Sequence, residues 1–291
     1  MRPRRSVMLA ALAVAAAVTA ALWWCTAKAD TPGSTPTPGP TATTSSSTPI
    51  PTLTPTASPM PTTTPPPKLP PASANPYPWH TNIVSTTFWV GEIFDPNASD
   101  GSQVISTYDA NWYANYGGCD GVVANGGCST ERRTAANGYF PLRMSPKQNP
   151  FYLDLPFDDI NDSAAFARRG QVIPWATSPK YAPYIRDPNV SLMKNRWVEL
   201  QKGGATCYGQ IEDAGPGEYN DANYVFGSGN TRPKNQRYGG AGLDVSPAIN
   251  GCLGFAELDG DTDLVSWRFV EANQVPAGPW TRIITTTPVE E

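Results

Sequence analysis

The sequence predicts an all-β barrel with one or two short helices, and three observations carry that expectation. Short runs rich in β-branched and aromatic residues recur along the second two-thirds of the chain. Gly- and Pro-containing turns separate them, and only two stretches carry helix-start chemistry. The strand runs are Ile83–Val90, Trp197–Leu200, Thr206–Ile211 and Trp267–Val270. Lys202-Gly203-Gly204 supplies a turn between the second and third, and Asp213-Ala214-Gly215-Pro216 supplies one after the third. One helix is expected at Asp162–Arg169, with an Asp/Ser start and Gly170 as its stop. Another begins at Ser246-Pro247, because a Ser N-cap followed by Pro at the first helical position is a preferred start.

The chain divides into three parts. Arg2, Arg4 and Arg5 precede an apolar run from Val7 to Trp24, and Ala27-Lys28-Ala29 offers a small-x-small cleavage site. Residues 1–29 are therefore expected to be a secretory signal peptide; an uncleaved anchor is the alternative, since the run is just long enough to span a bilayer. Residues 30–78 follow as a Pro/Thr/Ser-rich stalk. Of 32 prolines in the chain, 16 fall between Thr31 and Pro78, and 35 of those 48 residues are Pro, Thr or Ser. Such a segment cannot bury enough apolar surface to offset its ordering entropy, so disorder is expected. The globular part is 79–291, long enough for one sizeable core. The formal charge of −4 becomes −8 once the four basic residues of the signal peptide leave. An acidic domain without a basic block is not expected to bind nucleic acid or, after signal cleavage, a membrane. A secreted or cell-wall-associated monomer is the expectation.

Chemistry is restricted by what the globular part lacks. Four cysteines remain after signal removal, and an even count in an exported chain favours disulfides over metal. Cys119 and Cys128 bracket a Gly-rich loop and are paired locally, which leaves Cys207 with Cys252. No C-x-x-C spacing exists, and His80 is the only histidine. A zinc site, Ser-His-Asp catalysis and Cys-His catalysis are thus not expected, nor is a cofactor, since no Gly-rich phosphate loop precedes a helix. Asp259-Gly260-Asp261-Thr262-Asp263 starts like a calcium loop, but Leu264 and Val270 occupy the positions that need Gly and an acid. It reads as a solvated acidic turn.

The order of motifs resembles a known family. Phe88-Trp89-Val90-Gly91 closes a first strand, and Arg133-Thr134-Ala135-Ala136-Asn137-Gly138 follows after an insertion. Next come Leu155-Pro156-Phe157, the strand Trp197–Leu200, the strand Cys207–Ile211 running into Glu212-Asp213-Ala214-Gly215-Pro216, and Leu243-Asp244-Val245-Ser246-Pro247-Ala248. This succession resembles the six-stranded double-psi β-barrel of rare lipoprotein A (RlpA), and more distantly expansins and family-45 endoglucanases. The segments Asp95–Glu131, Asp158–Met193 and Gly217–Gly240 would then be long insertions.

The resemblance implies a domain that acts on or binds structural polysaccharide, peptidoglycan or another glycan. It implies that Asp244 is a general acid/base, assisted by Asp213, with Glu92 and Asp95 as alternative second carboxylates. Trp89, Tyr139 and Trp112 are the candidate substrate-binding residues, within a wider set of aromatics able to stack on sugars. Tyr139 stands where the family carries a Glu, and Lys147 and Gln148 lie where it carries a His. A non-cleaving, expansin-like binding module or a surface scaffold is therefore the alternative to an enzyme. Asp244 also has a purely structural explanation: an acid two residues before a helix N-cap is stabilised by the helix dipole. That environment lowers a pKa, whereas a general acid at neutral pH needs it raised.

Overall fold

The structure is a computed structural model that describes residues 75–99 and 101–289. The expected signal peptide and most of the expected stalk lie outside these residues. In chain order the strands are β1 (His80–Thr87), β2 (Val122–Ala124), β3 (Gly127–Ser129), β4 (Tyr152–Leu155), β5 (Trp197–Lys202), β6 (Ala205–Ala214), β7 (Leu243–Val245) and β8 (Asp263–Val270). The α-helices are α1 (Trp112–Tyr116), α2 (Ser163–Val172), α3 (Ala222–Val225) and α4 (Pro247–Leu253). Six strands close a barrel in the order β1-β7-β4-β6-β5-β8, and β2 and β3 form a separate hairpin. Pairs β1–β7 and β4–β6 are parallel, whereas β4–β7, β5–β6, β5–β8 and β1–β8 are antiparallel.

Alternation explains the strands. In β8, Asp263, Val265, Trp267 and Phe269 are buried, while the residues between them are more open. In β1 the same alternation turns Ile83, Ser85 and Thr87 inward. β1 stops three residues before the expected Val90, although Phe88 N–H still donates to Val245 O. The segment from Asn75 to Trp79 packs onto the barrel: Asn75 Nδ2 donates to Phe269 O, and the Trp79 ring lies under Arg268. His80 is buried, stacked on Trp267 at 4.1 Å, and burial pushes its pKa down to about 4.

Both expected helices form. Asp162 caps α2 by accepting from Ala164 N and Ala165 N, but the helix runs through Gly170 to Val172. Gly170 is there for packing rather than as a stop, since a Cβ would sit 2.7 Å from Ile185 Cγ2. Ser246 caps α4 by accepting from Ile249 N, Pro247 opens it, and Gly254 closes it in the left-handed region at φ 64°. None of the three long insertions contributes a barrel strand. No described helix is long and apolar enough to cross a membrane.

Both disulfides pair as expected, Cys119 with Cys128 and Cys207 with Cys252. The second ties β6 to α4 across a separation of 45 residues. Chain-entropy reasoning gives about 4 kcal/mol for a loop of that length and about 2–3 kcal/mol for the short one. The Cys207→Ser/Cys252→Ser double variant is therefore expected to lose more stability in urea titration than Cys119→Ser/Cys128→Ser. Equal losses would show that loop length does not set the difference.

Candidate active site

The barrel places a row of carboxylates across neighbouring strands. Asp213 on β6 is registered against Asp154 on β4, and Asp244 on β7 against Thr86 on β1. Because Leu153 pairs with Val245 in the antiparallel β4–β7 contact, Asp154 and Asp244 meet on the next rung. Asp244 N–H donates to Asp154 Oδ1 at 2.8 Å, and the Thr86 hydroxyl donates to Asp244 Oδ1. Like charges facing each other across a sheet are destabilising. The cluster relieves that cost by keeping protons.

Burial is the largest influence on each member. Asp154 is pushed well above the usual carboxylate range by burial and then by the charges of Asp244 and Asp213. Asp213 is pushed up to about 6 by burial, against the stabilising N–H groups of Thr107 and Ala214, which donate to Oδ1 at 2.7 and 2.8 Å. Asp244 is raised to about 8 by burial and by Glu92 and Asp213. Asp154 and Asp213 are 4% and 6% exposed, whereas Asp244 is half-buried. The helix-start explanation of Asp244 called for a lowered pKa, and burial, followed by the charges of Glu92 and Asp213, reverses it.

Glu92 stands beside this row. Its carboxylate accepts from Trp89 N–H at 3.4 Å, and burial raises it to about 7. A buried network holds its loop. Val90 N–H donates to Tyr152 Oη, whose hydroxyl donates to Asp120 Oδ2, and Asp120 pairs with Arg133 at 2.7 Å. Asp120 N–H donates to Val90 O, so the Cys119–Cys128 hairpin buttresses the same turn. The insertion then roofs the site, with Thr107 on Asp213 and the Tyr108 hydroxyl donating to Phe157 O.

The other expected site residues separate. Trp89 is partly buried, its indole N–H donates to Cys128 O, and it flanks Glu92. Trp112 is fully buried among Phe88, Tyr116 and Tyr152 and offers no surface to a ligand. Tyr139 turns edge-on to Phe151 at 6.4 Å, with its backbone at φ 66°. Asp95 is exposed and accepts from Asn97 N–H in a turn, so it does not complete the cluster. Asp154 and Tyr108 were missed. The one available signal for Asp154 was an acid interrupting the apolar run Phe151–Phe157.

Neither of two surface recesses, of about 530 and 420 Å³, is lined by Asp244. The row of raised carboxylates, rather than either recess, marks the site. Comparison with protein-family models gives no match, and comparison with curated proteins gives none either.

The cluster also sets a pH dependence of stability. Free carboxyls titrate near 4, so between pH 6.5 and 8.5 the folded state holds protons that the unfolded chain has released. Stability from these raised groups is fully present below about pH 4 and is lost as pH rises through 7 and 8. His80, neutral in the fold, adds little change in that window. The expected loss from pH 6.5 to 8.5 is on the order of 3 kcal/mol, or about 6–12 °C in Tm. Asp154→Asn should reduce it. A thermal midpoint that is flat across this range would show that the row is ionised.

Proposed function

We propose that the domain is an exported glycan-cleaving enzyme in which Asp244 is the general acid. One observation carries this reading. Of the three aspartates in the row, Asp154 and Asp213 are buried whereas Asp244 is half-buried, and its pKa is raised to about 8. A glycosidic oxygen needs such a proton at neutral pH. The Asp244 carboxyl donates it as the C1–O bond breaks and the electron pair passes to the leaving oxygen. Glu92, half-buried and raised only to about 7, is the second carboxylate, which takes a proton from water attacking C1. If the sugar's own hydroxyl attacks instead, the Asp244 carboxylate recovers the proton and the product has an anhydro end.

Two further features support the reading. The parallel pairs β1–β7 and β4–β6, joined by the antiparallel β4–β7 contact, suit a double-psi barrel of the rare lipoprotein A type. The two disulfides suit an oxidising compartment and hence secretion. Asp213 and Asp154 are assigned to positioning, because both are buried: Asp213 raises Asp244, and Asp154 accepts its backbone N–H. A binding module without cleavage is the second reading, favoured by the Thr107 cover over Asp213. The test is incubation of the protein with purified peptidoglycan and with cellulose, products being read by mass spectrometry. Reducing or anhydro-ended fragments are expected from the wild type. Binding to either polymer without products would retire the enzyme in favour of the module.

A further inference from the structure

A second recess lies on the β5–β8 side of the barrel, across the ring of strands from β4 and β7. Its volume is about 420 Å³, within the range of small-molecule sites. Four separate segments build it: Tyr77 from the stretch before β1, Trp175 to Tyr181 from the second insertion, Arg196 just before β5, and Glu271 after β8. Arg196 is only 6% exposed and fixes the geometry. Its guanidinium lies 4.2 Å from the Trp175 ring centroid and 5.8 Å from those of Tyr77 and Tyr181. Its Nη groups donate to Glu271 at 3.1 and 3.3 Å and to Tyr77 Oη at 3.2 Å. Arg196 Nε is buried with no hydrogen-bond partner among the described residues.

The charges leave a remainder. Arg196 and Glu271 cancel each other, while Lys180 stands exposed at the rim, 5.7 Å over the Tyr181 ring. The recess thus presents one net positive charge on a domain that is otherwise acidic. We infer that it is a second ligand site, taking a pyranose that bears a carboxylate, such as a hexuronate unit. Lys180 would pair with the carboxylate, the half-buried Tyr77 would meet the C–H face of the ring, and Glu271, whose side chain is 42% exposed, would accept from hydroxyls. The carboxylate follows from the local charge; the choice of a sugar rests on the glycan reading above.

The test is isothermal titration of the full chain with methyl β-D-glucuronide, methyl β-D-glucoside and acetate. The glucuronide is expected to bind about tenfold more tightly than either other probe, the equivalent of one charge-assisted contact. Lys180→Glu should remove about tenfold of that affinity, and Asp244→Asn should leave it unchanged. Equal binding of all three probes, indifference to Lys180→Glu, or loss in Asp244→Asn would each overturn the inference. Polymer cleavage is measured separately. Cleavage without glucuronide binding would remove this site alone. Lys180-dependent glucuronide binding without any action on polymers would uphold the site and remove the enzyme.

Discussion

Asp244→Asn is expected to lower glycan cleavage by about 10²–10⁴-fold, the usual contribution of a positioned general acid. The amide oxygen can still accept the Thr86 hydroxyl, and the backbone N–H can still reach Asp154, so the fold should survive. What disappears is the transferable proton. The neighbouring variants separate roles through their pH profiles. Wild-type activity should rise with Glu92 ionisation near pH 7 and fall with Asp244 ionisation near pH 8. Glu92→Gln should erase the acid limb. Asp213→Asn should move the alkaline limb to lower pH, because it removes a charge that raises Asp244. A merely structural Asp213 would change activity without moving that limb.

Arg169→Ala is expected to cost about 5 kcal/mol, since breaking one partner of a buried ion pair alone costs about 3–5 kcal/mol. Arg169 is 0% exposed and pairs with Asp159. Its Nε donates to Ile185 O, Nη1 to the carbonyls of Asp159 and Val190, and Nη2 to those of Tyr184 and Asp187. One planar, five-donor group thereby gathers carbonyls from the whole second insertion, and no other side chain has that fork. Asp159 in turn accepts from Ser191 Oγ and Leu192 N–H, which fixes the return into the barrel. Arg169→Lys should recover little of the loss, because an ammonium cannot reach five carbonyls at once. Urea titration giving a loss under about 1 kcal/mol for Arg169→Ala would show that the insertion holds itself together by its apolar contacts.

Local chemistry was the legible part of this fold. The Ser246 and Asp162 caps, the long strands β5, β6 and β8, and both disulfides follow from residue types at short spacing. The short strands were harder. β7 alternates but has only three residues, too few to mark a strand, and β4 has four, all buried, which hides any alternation. Asp244 and Asp213 could be named because each stands in a motif that carries the resemblance, Leu243–Ala248 and Glu212–Pro216. Asp154 could not, because its meaning comes from strand register: three residues from distant parts of the chain become neighbours only when the barrel closes. The same applies to Arg169, one arginine of an adjacent pair in a short helix until the insertion folds around it. Trp112 shows the reverse error. Aromatic type suggests a sugar platform, but the ring fills a core between Phe88 and Tyr152.

Everything proposed for this site turns on the proton held by Asp244. Carbon-13 NMR titration of aspartate-labelled protein reads that proton directly, with Asp244→Asn supplying the assignment. The expected result is an aspartate carboxyl titrating near pH 8 in the wild type and missing from the variant. If the Asp244 signal instead titrated below about pH 5, the carboxyl would be ionised at neutral pH, and it could not serve as the acid.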